Sequence, residues 1–226
     1  MAVMSRVTIE RDAIRSFQHF RWAEMPDAKR PIDPKTAIPY YPDTIWSRLR
    51  LSSKNHVDVP VRIGRDILHL LVSHPTPPVF DGPEDRNGAL IHDEIMFWIH
   101  YLDNDPSALR WLIDDDRRKG GLATGKPFVL MGDLNADPDE GSGRREAIRR
   151  LLDHDRVNDV RPRASASEPG GDVDEPRNSK TADFGRNGLM RVDYVVPGKN
   201  LVTVDSGVFW PSPDDPRRQW ISASDH

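Results

Sequence analysis

A chain of 226 residues is long enough for one large domain or two small ones. Hydrophobic residues make up 37% and charged residues 30%, with a mean hydropathy of −0.64, so a core is expected beneath a very polar surface. The net charge of −4 argues against a module that holds nucleic acid by bulk attraction, and the absence of cysteine excludes disulfides, thiolate metal sites and cysteine nucleophiles.

Met1 to Ile9 reads as a strand with almost no lead-in, and residues 1–20 carry scattered charge without the apolar core of a signal peptide. Residues 21–43, rich in proline and aromatics, read as a long ordered loop. Strand alternation follows at Ile45 to Leu51, Val57 to Ile63 and Asp66 to Ser73. In the last of these, Ile67, His69 and Leu71 share one face and Leu68, Leu70 and Val72 the other, with His69 assigned to the core. Residues 89–103 have helical spacing at Ile91, Ile95, Trp98, Ile99 and Leu102. A second helix is expected from Asp105 to Arg118, stopped by Gly120-Gly121, and a third from Ser142 to Asp153. Between them Pro127 to Met131 reads as a buried strand. Residues 161–187 read as a long surface loop. Leu189 to Val196 and Leu201 to Val208 return as strands, and no stretch is long and apolar enough to span a membrane.

Four short motifs carry candidate chemistry. The strand ending in Gly132-Asp133-Leu134-Asn135 places a carboxylate and a carboxamide two residues apart, on one side of a strand where it stops. Asp133 offers oxygen to a hard cation, and Asn135 can meet a phosphate oxygen without changing protonation. The same residues also suit an ordinary turn after a strand. In Arg191-Val192-Asp193-Tyr194, Asp193 needs a partner, since an unpaired buried charge is costly; an Arg191–Asp193 pair on a half-exposed sheet face would answer that equally well. Ser224-Asp225-His226 joins a metal-binding type to a proton-transfer type, or is a frayed tail. Ser73-His74-Pro75 puts a histidine at a strand exit, either aimed into a cleft or satisfied structurally. Downstream, Asp85-Arg86-Asn87 and His92-Asp93-Glu94 add charge near a helix start, much of which helix capping explains.

In this order the motifs resemble the landmarks of the endonuclease/exonuclease/phosphatase superfamily, the DNase I-like metal-dependent phosphoesterases. The segment Leu70 to Glu94, with Ser73-His74-Pro75-Thr76-Pro77-Pro78-Val79-Phe80-Asp81-Gly82-Pro83-Glu84-Asp85-Arg86-Asn87-Gly88, is similar to a bacterial subgroup of it. The resemblance covers nearly the whole chain. It implies an α/β fold, a two-sheet sandwich with outer helices, and hydrolysis of phosphodiester or phosphomonoester bonds by metal- and Asp-activated water.

The resemblance also implies roles. Asp133 would orient or activate the water and, with Asp225, hold a divalent cation; Asn135 would hold a phosphate oxygen, with Arg86 and Asn87 beside the substrate. Asp193 would orient His226, which would stabilise phosphate charge or shuttle a proton, and His74 would contact the scissile phosphate or protonate the leaving group. Oxygen ligands without cysteine favour Mg²⁺ or Mn²⁺, with Ca²⁺ as a further option. The expected partner is a phosphoester: a small molecule, a lipid head group or nucleic acid. The chain departs from the pattern in one respect. The family's opening strand with Asn, its metal-binding Glu and its closing strand are not evident, so residues 1–226 read as a single incomplete domain of a longer protein, one that the resemblance to a family with many exported members leads us to expect outside the cell. The alternative function is a non-catalytic remnant that binds phosphate or a protein partner.

Overall fold

The structure, a computed structural model, describes residues 2–141, 143–164, 179–211 and 214–223. Its centre is a six-stranded sheet built from β1 (Thr8–Ile9), β2 (Arg15–Ser16), β3 (His56–Ile63), β4 (Asp66–Ser73), β5 (Phe128–Asp133) and β8 (Asp193–Pro197). Their order is β1-β3-β4-β5-β8, with β2 pairing the same edge of β3 as β1. A second sheet joins β6 (Ala182–Asp183) to β7 (Leu189–Met190). The helices are α1 (Asp43–Trp46), α2 (Arg86–Asp103), α3 (Ala108–Trp111) and α4 (Arg145–Leu152). The mixed α/β architecture expected from the sequence is therefore present.

Local chemistry explains the sheet. β3 and β4 form a hairpin closed by Gly64-Arg65, and Gly64 adopts φ +62°, which glycine reaches without a Cβ penalty. Pro60 sits inside β3 although proline cannot donate to a ladder. Its position is tolerated because the outer edge is interrupted there by the single turn Arg11–Ala13 between β1 and β2, where Glu10 N–H still reaches the Pro60 carbonyl (2.9 Å). β4 and β5 run parallel, so the chain must cross over between them, and α2 lies in that crossover.

One face of the sheet carries His56, Asp58, His69, Leu71, Ser73, Phe128, Leu130, Tyr194 and Val196, and α2 packs on it. Trp98 Nε1–H donates to Ser73 Oγ (2.8 Å) and the Tyr101 hydroxyl to Asp58 (2.6 Å). Phe97 lies 4.6 Å from the His56 ring. α2 is buried nearly all round because α4 covers its other side with Ala147, Ile148 and Leu151, and Phe17, Phe20 and Trp22 close its flank. His69 is mostly buried against Asp58 (2.9 Å), as its assignment to the core required.

Several elements differ from the sequence reading. Ile45 to Leu51 is not a strand: Pro42, with φ fixed near the helical value, starts the short helix α1, whose Trp46 packs at a tilt against Trp22, ring centroids 4.8 Å apart. Of Met1 to Ile9 only Thr8–Ile9 pairs. The helix expected to Arg118 stops at Trp111, because the Asp114 carboxylate accepts the Asp116 and Arg118 N–H groups and folds the chain into a turn clamped by the side chains of Arg15 and Arg118. Leu189 to Val196 is split at Arg191-Val192, where the Thr181 hydroxyl accepts both the Val192 and Asp193 N–H groups (3.0 Å each). Among the described residues, Leu201 to Val208 finds no sheet neighbour beyond a bridge of Val208 to Ala164, and Val202 and Val204 are exposed. Of the loop at 161–187, residues 165–178 lie outside the described residues, and the rest includes β6.

Candidate active site

Because β4 and β5 are parallel, Ser73 and Asp133 finish at the same edge of the sheet, and β8, antiparallel to β5, begins there with Asp193 opposite Asp133. Ligands of open α/β sheets sit beyond this carboxyl edge. Gly132 is what lets the two strand ends meet. It has φ +146°, and a Cβ built on it would stand 2.0 Å from the Ser73 carbonyl oxygen.

His74, the first residue past β4, then places Nε2 3.3 Å from Asp133 Oδ2. Asn135 turns back in the left-handed region (φ +51°), which asparagine tolerates better than most residues. Its N–H donates to Asp133 Oδ1 (2.8 Å), and its Nδ2 donates to the Pro75 carbonyl (3.1 Å) and to Asp133 Oδ2 (3.2 Å). The Asp133 carboxylate is thus held by its own loop and by His74, and Asn135 ties the β5 exit to the β4 exit.

His74, Asp133, Asn135 and Asp193 line a cavity of about 970 Å³. Lys54, Arg144 and Arg145 supply positive charge around it, and Pro77, Pro78, Val79, Phe80, Phe184 and Met190 supply apolar surface. The loop 136–140 forms another side. Asp137, buried, accepts Lys180 Nζ (2.8 Å) and the Arg191 N–H (2.6 Å), and also the Asp139 and Glu140 N–H groups. Burial pushes its carboxyl upward, but Lys180 and those donors outweigh burial and hold it below the ordinary value. Tyr194 OH donates toward the Ala136 (2.7 Å) and Arg191 (2.9 Å) carbonyls, fixing this loop to β8.

The expected residues are not all together. His74, Asp133, Asn135 and Asp193 converge. Asp225 and His226 lie outside the described residues, as does any Asp193–His226 bond. Arg86 and Asn87 are not among the cavity-lining residues; their side chains are turned onto the carbonyls of Phe80 (2.8 Å) and Val79 (2.6 Å), bracing the loop before α2. Arg191 does not pair with Asp193: it makes a two-pronged ion pair with Asp159 (2.7 and 3.0 Å), because it precedes β8 and turns away from the cavity edge. The sequence reading missed Lys54, Asp137, Lys180 and Glu94. Glu94, on α2 and fully buried, accepts the Thr76 N–H (2.7 Å) and so holds the loop that carries His74. Burial raises its carboxyl to about 7. The Glu94 position on the apolar face of a helix was the one available signal.

For a cation, the donor set suits a hard metal: Asp133 and Asp193 place two carboxylates at paired positions of the ladder, with the Asn135 amide beside them. Among the described residues no three His, Asp or Glu converge as a complete site, so water would complete the shell of an ion held there.

The chain matches the Endonuclease/Exonuclease/phosphatase family over residues 1–226 and belongs to it. No curated protein matches it. Among solved structures it is similar to sphingomyelinase C from Streptomyces griseocarneus, at 15% identity and TM-score 0.40, covering 72% of this chain and 46% of that one. It is similar to an endonuclease/exonuclease/phosphatase family protein from Leptotrichia buccalis at 17% identity and TM-score 0.36, covering 69% and 45%. It is also similar to beta toxin from Staphylococcus aureus with bound magnesium ions, at 11% identity and TM-score 0.39, covering 71% and 46%. The chain spans less than half the length of these proteins.

Proposed function

We propose that the cavity at the β4–β5–β8 edge hydrolyses phosphoesters with the help of a divalent cation. The observation that carries this reading is the meeting of His74, Asp133 and Asn135, from two separate stretches of sequence, around one carboxylate. A divalent cation, Mg²⁺ or Mn²⁺ by the oxygen character of the donors, would be held by Asp133 and would neutralise charge on the phosphate. Asp133 also orients the attacking water. Asn135, whose two Nδ2 hydrogens point to the Pro75 carbonyl and to Asp133, meets a phosphate oxygen by exchanging one of those bonds for it. His74, more than a third exposed at the side chain and within reach of Asp133, carries the proton delivered to the leaving oxygen. Asp193 contributes the second carboxylate of the edge, and the family resemblance gives it His226 to orient and gives Asp225 a share in the metal. The substrate is a phosphoester, and a small one fits at least as well as duplex DNA, since the net charge of −4 offers an extended polyanion no bulk attraction.

The test is hydrolysis of bis(4-nitrophenyl) phosphate with Mg²⁺, Mn²⁺ or Ca²⁺ and with chelator. Turnover that requires the metal and is lost in Asp133→Asn is expected. Phosphate binding without turnover under any metal would favour the alternative, a non-catalytic member of the fold that retains a phosphate site.

A further inference from the structure

Phe80 is the most conspicuous apolar residue that packing does not explain. Its side chain is 92% exposed, yet it lines the cavity that holds His74 and Asp133. Its backbone has φ +60°, a left-handed conformation that is an outlier for a bulky aromatic residue. Such strain persists only where the surroundings over-determine it, and here they do. Arg86 Nη2 donates to the Phe80 carbonyl (2.8 Å), Asn87 Nδ2 to the Val79 carbonyl (2.6 Å), and the Asn87 N–H to Asp81 (2.7 Å). Glu84 in turn pairs with Arg86. Four polar side chains thus hold open to solvent a ring that could have been turned inward.

The same side of the cavity is apolar and tightly built. A Cβ on Gly143 would come within 3.0 Å of Pro78, and one on Gly141 within 3.2 Å of Met190, so these two glycines lie directly against this wall. Phe184, also partly exposed, lines the cavity as well. The polar groups that suit a phosphate, His74, Asp133, Asn135 and Lys54, line the same cavity.

We propose that Phe80, with Pro77, Pro78, Phe184 and Met190, forms a subsite for an apolar group esterified to the phosphate, and that Arg86 and Asn87 are positioning residues that present Phe80. This rests on the phosphoester reading above and names the substrate class: a phosphate monoester or diester bearing a ring or alkyl group, in preference to one bearing a small polar alcohol. Phe80 contributes to no core, so its replacement leaves the fold intact.

The experiment measures binding of methyl, phenyl and octyl phosphate, with Mg²⁺ present, to the unaltered chain, Phe80→Ala, Asn87→Ala and Asp133→Asn. One aromatic contact corresponds to a preference of about three- to tenfold for phenyl over methyl phosphate. That preference should collapse toward one in Phe80→Ala and in Asn87→Ala. A larger gain for phenyl than for octyl phosphate identifies a ring as the group read, and the reverse identifies a chain. If methyl phosphate binds, and binds differently in Asp133→Asn, but the preference is absent or survives in Phe80→Ala, the subsite is wrong and the phosphoester reading stands. If none of the three esters binds, the phosphoester reading itself falls.

Discussion

Replacing Glu94 with Gln should stabilise the protein at alkaline pH and leave it nearly unchanged in mild acid. Glu94 is fully buried; Oε2 accepts the Thr76 N–H (2.7 Å), and Oε1 accepts no hydrogen bond among the described residues. Burial pushes the carboxyl upward, and the Thr76 N–H, the Ser52 and Thr76 hydroxyls and the Lys54 charge bring it only partly back, leaving it raised from 4.5 to about 7. The other titratable group against it is His56, whose Nε2–H donates to the Glu94 carbonyl (2.7 Å) and which burial lowers to about 4. A raised carboxyl pKa means that the folded state keeps a proton the unfolded chain releases. The associated stability is complete below about 4.5 and is lost as pH rises through about 7. At 1.36 kcal/mol for each tenfold change in proton affinity, the full loss is about 3 kcal/mol. Gln keeps the acceptor for Thr76 and cannot ionise. The effect of His56 has the opposite sign: stability is lost as pH falls from 6.5 through about 4. It is common to both proteins and cancels in their difference. Urea denaturation of the two at a series of pH values from about 5 to 8.5 measures that difference. It should grow by about 2 to 3 kcal/mol across the range in favour of Gln. A difference that does not change with pH, or a Gln variant that is the less stable at pH 8, would refute a neutral buried Glu94.

The remaining expectations concern the strand edge and its supports. Asp133→Asn should lower metal-dependent hydrolysis by about two orders of magnitude or more, with a thermal midpoint close to that of the parent, since Asn retains an acceptor for the Asn135 N–H. Gly132→Ala should cost about 3 kcal/mol or prevent soluble expression, because its Cβ meets the Ser73 carbonyl at 2.0 Å and its φ of +146° strains any larger residue; a normal melt would refute the close approach of β4 to β5. Arg191→Met should cost about 3 kcal/mol, because the mostly buried Asp159 charge is then left with only the Arg161 N–H (3.2 Å) and the solvent-exposed Arg161 guanidinium 3.9 Å away. Adding Asp159→Asn to it should recover part of that loss in the same melts, and a fully additive double variant would argue against the pair.

What was legible in the sequence was local. Phe128 to Met131 is a strand because it is an unbroken apolar run, and it ends at Gly132-Asp133-Leu134-Asn135 because those residues favour a turn; both facts lie within nine residues of chain. The long amphipathic α2 was legible for the same reason. What failed depended on distant partners. Alternation at Leu201 to Val208 reads as a strand, but a strand exists only if another lies beside it, and among the described residues only Val208 finds a bridge. The near neighbour Asp193 offered Arg191 one ready partner in the sequence, whereas its actual partner Asp159 lies 32 residues away. Arg86 and Asn87 are set beside the substrate by the family resemblance. Their hydrogen bonds reach back six and eight residues to the carbonyls of Phe80 and Val79 instead. The sequence Pro77-Pro78-Val79-Phe80-Asp81-Gly82 announces a turn but not the direction of its one ring; that direction follows from the two donors on α2, and so the apolar side of the cavity emerges only once the helix and the loop are placed together.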